Sequence, residues 1–233
     1  MKENSNAFIF NDDNIKVIFT KRQIDSKNIN DMEKISTEYN FDFENLAFNT
    51  QVHGANVRKI ERKEDLKNNG LEADGLITNS VKIPLLIFTA DCVPLVFYDK
   101  IRNVVALAHA GWRGTYSNIS QEIIRSMVQD YNCDKKDIKV IVGPSISIEN
   151  YEVSKELVDK FSSLNVADYY IEKNGKYYLD LWQINKELLV KSGVLEKNII
   201  FSNLCTVKNN DKFFSYRKDK ETSKRIGTLI QID

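Results

Sequence analysis

The chain contains few of the residues that interrupt secondary structure or form cross-links: three prolines, nine glycines and three cysteines among 233 residues. The cysteines, Cys92, Cys133 and Cys205, are odd in number and widely spaced, which argues against a disulfide framework and fits a reducing compartment. The longest apolar run, Ile83–Phe88, is only as long as a strand, and the first residues lack the apolar segment of a signal peptide. We therefore expect a cytoplasmic protein with no membrane partner.

The chain also lacks an excess of charge of either sign. Thirty-three basic residues balance thirty-three acidic ones, whereas a nucleic-acid-binding protein usually carries a basic excess or stripe. Any anion binding must therefore come from a few placed Arg or Lys side chains, and we expect no nucleic-acid partner. No internal repeat and no linker rich in Pro, Gly or Ser divides the sequence, so a single domain over residues 1–233 is predicted.

Hydrophobic periodicity indicates an α+β fold in which mixed β-sheets are layered with helices. Runs in the middle of the chain are continuously apolar and rich in β-branched residues, which is typical of strands covered on both faces. Strands and helices do not alternate strictly, so a doubly wound sheet is not favoured. The predicted helices are Asn30–Tyr39, Thr115–Asp130, Ser154–Ser163 and Leu181–Lys191. The predicted strands are Ile83–Thr89, Val93–Tyr98, Val104–His109, Ile138–Val142, Asn198–Ser202, Lys212–Tyr216 and Arg225–Ile232.

The chain has only two histidines, and each lies near glycine in a loop or at the end of a predicted strand. His53 occurs in QVHG, His109 begins HAGWRG, and Cys92 lies in TADCVP between two apolar runs. Two imidazoles and one thiolate suit Zn²⁺ or copper, and three protein ligands leave the fourth position open, as in catalytic sites. The separations match no short zinc signature, however. Hydrogen-bonded structural histidines and a buried structural cysteine are the alternative.

Eight short motifs follow one another in a specific order along about three quarters of the chain. They resemble the multicopper-polyphenol-oxidase-like, or laccase-domain, family of purine nucleoside phosphorylases, also described in bacteria as peptidoglycan editing factors. One stretch departs from the family: an Arg-x-Gly-Gly-Val-Ser segment that shapes the pocket in many members is replaced by Thr20–Ser26, which has no glycine. The motifs are QVHGANV (51–57), EADGLIT (72–78), TADCVPLVFYD (89–99), AHAGWRGT (108–115), VGPSIS (142–147), YEV (151–153), NLCT (203–206) and FFSYRKD (213–219).

The resemblance implies a fold shared with cysteine-dependent deamidase toxins and one metal ion, zinc (Zn²⁺) or copper (Cu²⁺), bound by His53, Cys92 and His109. It also implies two activities on purine nucleosides. One is phosphorolysis of adenosine, inosine and methylthioadenosine, and the other is deamination of adenosine. Nucleoside and phosphate are then the expected partners, with His53, Cys92, His109 and Arg113 as the catalytic residues.

Four other side chains are candidates for the site, and each has an ordinary structural alternative. Arg113 precedes a predicted helix and is expected to hold phosphate, the alternative being a solvated side chain after a turn. Asp74 is expected to contact substrate, to orient a ligating histidine or to form a turn beside Gly75. Asp91 could orient a ligand or cap a turn. Arg217 is expected to add a second cation to the pocket or to form a surface ion pair.

Two alternative enzymatic functions and one non-enzymatic function remain open. Copper-dependent phenol oxidation, after the older family name, needs several coppers and therefore many more than two histidines. A metal-free cysteine hydrolase or amidase acting on peptidoglycan precursors would use Cys92 as nucleophile and His109 or His53 as base. The non-enzymatic alternative is a metal-buffering or interaction module. Cys133 and the Phe213–Phe214 pair are expected to be structural.

Overall fold

The computed structural model describes the whole chain, Met1 to Asp233, as fifteen strands and five α-helices. The strands are β1 (Lys2–Glu3), β2 (Ala7–Asp12), β3 (Ile15–Thr20), β4 (Ala47–Phe48), β5 (Val57–Lys59), β6 (Gly75–Thr78), β7 (Leu85–Thr89), β8 (Val93–Asp99), β9 (Val104–Ala110), β10 (Lys139–Val142), β11 (Glu152–Val153), β12 (Tyr170–Lys173), β13 (Lys176–Leu179), β14 (Ile199–Phe201) and β15 (Ile226–Ile232). The helices are α1 (Ile29–Tyr39), α2 (Trp112–Tyr116), α3 (Ile119–Tyr131), α4 (Lys155–Phe161) and α5 (Leu181–Lys191).

The strands form two six-stranded sheets and one small three-stranded sheet. The first sheet has the order β1-β2-β3-β15-β7-β4, the second β14-β10-β8-β9-β6-β5, and the third β11-β13-β12. Most neighbours are antiparallel, but β4 with β7, β5 with β6, and β10 with β14 are parallel. The sheets are therefore mixed, and the predicted α+β class is confirmed. None of the helices is long and apolar enough to cross a membrane.

Side chains alternate between the two faces of each large sheet, and this alternation builds a four-layer arrangement. Between the sheets, Phe19 and Ile87 of the first share a buried cluster with Val96 and Leu107 of the second. The outer face of the first sheet packs on α1, and the outer face of the second packs on α3 and α5. Every residue of β8 and β9 is buried. The predicted double coverage of these apolar strands is therefore confirmed.

The helices begin and end at polar residues that satisfy their free backbone groups. The Asn28 side chain accepts hydrogen bonds from the N–H groups of Asn30 and Asp31 at the start of α1, and Asn40 ends that helix in the left-handed conformation. Asp180 caps α5 in the same way. These two helices have the predicted positions. The predicted helix Thr115–Asp130 is instead split into α2 and α3, because Asn118 between them is left-handed, with φ of 58°.

The structure corrects the prediction in three further places. The predicted strand Lys212–Tyr216 is a series of turns, although Phe213 and Phe214 are buried as expected. The sequence analysis did not predict the hairpin β2–β3. Its turn contains Asp13, whose positive φ is a conformation that Asn, Asp and Gly adopt more readily than other residues. The hairpin β12–β13 was also missed, because β12 is exposed along its whole length and has no apolar pattern to reveal it.

Asp12 at the end of β2 ties the first sheet to the second. Its Oδ1 accepts a hydrogen bond from Lys100 at 2.7 Å, and its Oδ2 accepts from Lys139 at 2.9 Å and from the Tyr98 hydroxyl at 3.1 Å. Partial burial alone would raise the pKa of Asp12, but these donors outweigh burial and lower the pKa to about 2. The carboxylate form is thus favoured in the folded protein.

We expect Asp12→Asn to lower the free energy of unfolding by about 1 to 2 kcal/mol at neutral pH. Because the folded-state pKa is depressed, this contribution is complete above the ordinary value of 3.8 and is lost as the pH falls through about 2. Urea unfolding at several pH values measures the difference between the two proteins. Asp13→Asn is the matched control, since Asp13 is 77% exposed and pairs with the same Lys100. Equal effects of both substitutions at every pH would contradict the assignment.

Candidate active site

Three strand ends and loops bring His53, Cys92 and His109 together. His109 is the next-to-last residue of β9 and pairs with Pro94 of β8, so Cys92, just before β8, lies beside the end of β9. His53 comes from the loop between β4 and β5. The candidate ligand atoms of the three residues all lie within 4.8 Å of one another. The two imidazole rings are 4.8 Å apart between centroids and are inclined at 71°.

The buried carboxylate of Asp74 organises two of these three residues. Its Oδ1 lies 2.8 Å from His109 Nδ1 and accepts the N–H of His53 at 3.0 Å. Its Oδ2 accepts the N–H groups of Gly54 at 2.7 Å and Val52 at 3.1 Å. Burial alone would raise the pKa of Asp74, but the hydrogen bonds from His109 and the backbone outweigh it and lower that pKa. Of the roles considered for Asp74, orientation of a histidine matches this geometry.

The charges of Cys92 and His109 are coupled. Burial alone would raise the pKa of the Cys92 thiol, but His109 and His53 outweigh burial and lower it to about 6. Burial alone would lower the pKa of His109, but Cys92 and Asp74 outweigh burial and raise it to about 9. The two shifts favour the thiolate form of Cys92 and the imidazolium form of His109. Thiolate is the form of cysteine that binds metal ions and acts as a nucleophile.

Strained backbone conformations occur at two positions of the site. His53 has φ of 62° and Asp91 has φ of 86°, positive values that are uncommon for residues other than glycine, although Asp and His adopt them more often than most. The hydrogen bonds from 52–54 to Asp74 hold the first position. The second is held by the Asp91 carboxylate, which accepts from the Thr206 hydroxyl at 2.6 Å and from the Arg217 N–H at 2.7 Å. Asp91 therefore joins distant loops, which is neither the capping of its own turn nor the orientation of a ligand that the sequence suggested.

The cluster opens into a cavity of about 630 Å³, which Arg113 and Arg217 also line. Arg113 is the second residue of α2 rather than a residue before the helix, and its guanidinium stacks 4.3 Å from the Trp112 ring centroid. Because α2 has only five residues, phosphate binding by its N–H groups is not supported. The Arg217 guanidinium donates to the carbonyl oxygen of Glu152 at 3.1 and 3.2 Å, so the surface ion pair considered for it is absent.

Several lining residues were missed in the sequence, because distant segments place them there. Lys27 comes from the N-terminal loop, Arg225 from just before β15, and Tyr151 from the loop before β11. None lies beside His53, Cys92 or His109 in sequence. Tyr151 and Arg225 fall within or near recognised segments, YEV and the last predicted strand, which were the only available signals.

The other two cysteines are buried away from the cluster. Cys133 packs in the apolar core between the second sheet and its helices, as predicted. Cys205 is also buried, and its Sγ accepts the N–H of Ser147 at 3.4 Å. Cys92 is the only cysteine that lines the cavity.

This fold and this cluster define a known class of proteins. Residues 21–233 match the family model described as multi-copper polyphenol oxidoreductase laccase. The chain is 33% identical over 215 residues to purine nucleoside phosphorylase YlmD of Bacillus subtilis, covering 88% of this chain and 77% of the relative. It is 34% identical over 206 residues to purine nucleoside phosphorylase SACOL1200 of Staphylococcus aureus, covering 84% of this chain and 76% of the relative.

Solved structures are similar along nearly the whole chain. The crystal structure of YlmD from Geobacillus stearothermophilus superimposes with a TM-score of 0.91 at 26% identity, covering 100% of this chain and 98% of the other. A Bacillus licheniformis hypothetical protein, YfiH, gives a TM-score of 0.87 at 27% identity, covering 94% and 93%. The chain therefore belongs to the laccase-like family, as its motifs indicated, and its curated relatives are named purine nucleoside phosphorylases.

Gly111 gives the cluster the space that it needs. A Cβ at Gly111 would lie 2.9 Å from Cys92 Sγ and 3.2 Å from His53 Cδ2. A Cβ at Gly54 would meet nothing closer than 3.6 Å, which is ordinary contact. Neither glycine has a positive φ, so alanine fits the backbone at both positions. The two glycines thus differ in the room available for a Cβ atom and not in backbone conformation.

We expect Gly111→Ala to displace the Cys92 and His53 side chains and to weaken Zn²⁺ binding by roughly 10-fold or more, the size of effect seen when residues supporting metal ligands are changed. Gly54→Ala is the matched control and should bind Zn²⁺ like the unchanged protein. Competition with a chromophoric chelator measures the affinities, and circular dichroism checks that both variants are folded. Equal zinc affinity in both variants would show that the three side chains do not act together as ligands.

Proposed function

We propose that this protein is a metal-dependent purine nucleoside phosphorylase whose centre is His53, Cys92 and His109. The observation that carries the proposal is the convergence of these three side chains in a cavity that also contains Arg113. The names of the curated relatives support the same reaction. Zinc is the favoured metal, with copper as the alternative, because two nitrogens and one thiolate suit both.

The donor set fits one metal ion. The hydrogen bond between Asp74 and His109 Nδ1 leaves Nε2 as the free donor atom of that ring and fixes its orientation. His53 and the Cys92 thiolate complete three ligands, and the cavity provides room for a fourth. When bound, the metal would act as a Lewis acid that polarises an oxygen atom and stabilises developing negative charge.

The surrounding residues would bind and orient the reactants. In phosphorolysis a phosphate oxygen forms a bond to the anomeric carbon of the ribose while the bond from that carbon to the base nitrogen breaks. The nitrogen retains the electron pair and is protonated, giving a free base and ribose 1-phosphate. Arg113, assisted by Arg217, would hold the phosphate next to the ribose, since guanidinium groups bind phosphate through paired hydrogen bonds.

The metal-replete protein should convert inosine with inorganic phosphate into hypoxanthine and ribose 1-phosphate, and adenosine into adenine and ribose 1-phosphate. Product analysis with and without phosphate tests this, and inosine formed from adenosine would reveal the deaminase activity that the family resemblance implies. Cys92→Ala is the negative control, since it removes one proposed ligand. The proposal would be refuted if zinc- or copper-loaded protein formed no ribose 1-phosphate and did not deaminate adenosine.

Arg113→Met should raise the KM for phosphate by roughly 10- to 100-fold, because a charge-assisted hydrogen bond contributes about 1.5–3 kcal/mol. The KM for the nucleoside should change much less. Arg102→Met is the matched control, since Arg102 is an exposed arginine outside the cavity. Steady-state kinetics with each reactant varied in turn separates the two constants. A phosphate KM that is identical in both variants would remove Arg113 from the phosphate site.

One observation favours a second candidate function. Cys92, His109 and Asp74 form a continuous thiolate–imidazole–carboxylate arrangement, as in cysteine hydrolases. A metal-free hydrolase or amidase acting on peptidoglycan precursors would keep its activity in a chelator and lose it when Cys92 is alkylated. Copper-dependent phenol oxidation is less favoured, because two histidines cannot bind several coppers. The deamidase-toxin fold relationship, the single-domain organisation and the cytoplasmic location stay predictions.

A further inference from the structure

Four cations line the cavity: Lys27, Arg113, Arg217 and Arg225. Asp91 is the only acidic residue among the lining residues, and its carboxylate is already hydrogen-bonded to Thr206 and to the Arg217 backbone. Many other basic side chains of the protein form ion pairs, but none of these four does. The four cations therefore outnumber the single carboxylate of the lining, which favours an anionic occupant.

The four cations form two groups according to their neighbours. Arg113 and Arg217 lie near Tyr151, whose hydroxyl both influence electrostatically. Lys27 lies near Arg225, and these two positive charges interact with each other: burial, and then Arg225, lower the pKa of Lys27. The phosphate site proposed above uses the first group. The second group is left without a function in phosphorolysis of an uncharged nucleoside.

Backbone hydrogen bonds place Lys27 and Arg225 side by side. The Asp25 carboxylate accepts the backbone N–H of each at 3.1 Å, and the Arg225 carbonyl oxygen accepts the N–H and the hydroxyl of Ser26. One oxygen of the Asp25 carboxylate thus accepts both backbone hydrogen bonds. The carboxylate forms no ion pair with the side chain of Lys27 or Arg225. The loop that departs from the family pattern at Thr20–Ser26 therefore leads directly to a cavity cation.

The side chains of this second group are available to a ligand. The Lys27 ammonium group has no hydrogen-bonding or ionic partner and lies 3.7 Å from the centroid of the Phe88 ring. Arg225 donates only through Nη1, to two nearby carbonyl oxygens, so its other nitrogens are free. Because Lys27 covers the Phe88 ring face, stacking of a base there would displace the cation. The group is better suited to an anion than to a purine ring.

We propose that Lys27 and Arg225 form a second anion subsite that binds the 5′-phosphate of a purine nucleotide. This inference rests on the proposed nucleoside phosphorylase function and names its substrate class as phosphorylated nucleosides. Two cations match the acceptor oxygens of a phosphate monoester. The Arg113 group then remains for inorganic phosphate.

The test compares inosine 5′-monophosphate with inosine as ligands, by calorimetry in phosphate-free buffer so that no phosphorolysis occurs. The unchanged protein should bind the monophosphate at least 10-fold more tightly than inosine, as expected for charge-assisted hydrogen bonds. Lys27→Met should reduce this ratio to about 2-fold or less, and Lys27→Arg should largely preserve it. Lys34→Met, which removes an exposed lysine outside the cavity, is the control for net charge.

Failure of this inference and failure of the proposed function give different results. A ratio near one in the unchanged protein, no binding of either ligand, or a high ratio that persists in Lys27→Met would overturn the nucleotide subsite. If Lys27→Met instead raises the KM for inorganic phosphate and leaves no nucleotide preference, the group binds free phosphate and the inference is also wrong. A high ratio with neither ribose 1-phosphate formed from inosine nor ribose 1,5-bisphosphate formed from the monophosphate would retain the subsite and refute the phosphorylase.

Discussion

The site depends on one buried carboxylate. Asp74 lies between the 52–54 loop and β9, and four donors converge on its two oxygens. A buried charge is costly unless it is paired and hydrogen-bonded, and here the donors supply that compensation. The same bonds hold His53 in a backbone conformation that it would not adopt in a free loop. Without Asp74, no side chain would hold His53 of the loop and His109 of β9 in fixed positions relative to each other.

The other constraint is the register of β8 against β9. These strands are buried on both faces, so a slip of one residue would turn every side chain toward the wrong layer. The pairing of Pro94 with His109 therefore fixes the distance between Cys92 and His109 as firmly as the core itself. A rigid hairpin thus carries two members of the cluster, and a loop held by a carboxylate carries the third. Candidate metal ligands need this kind of support from their surroundings.

The features that could be predicted from the sequence are those encoded by local hydrophobic pattern or by short motifs. The continuously apolar strands, the capped helices α1 and α5, and the trio His53, Cys92 and His109 all lie in segments whose own residues signal their role. The break at Asn118 and the turns around Phe213 escaped because a single left-handed residue or a buried aromatic pair overrides periodicity. Lys27 and Arg225 of the cavity wall escaped for a different reason. Their positions follow from long-range packing, which no local window contains.

The cavity also shows why net charge is a poor guide to ligand charge. Acidic and basic residues balance across the chain, yet the basic residues that reach the cavity are those without acidic partners. Charge balance across the surface keeps the global field weak, while unpaired cations in a concave, partly apolar site act at short range, where screening by solvent is least. Lys27 shows this most clearly. It follows a loop that lacks the glycines of the family pattern, and the hydrogen bonds of Asp25 fix the backbone that carries it beside Arg225. A change in loop sequence can therefore alter the positive charge at the cavity wall while the three candidate metal ligands stay the same.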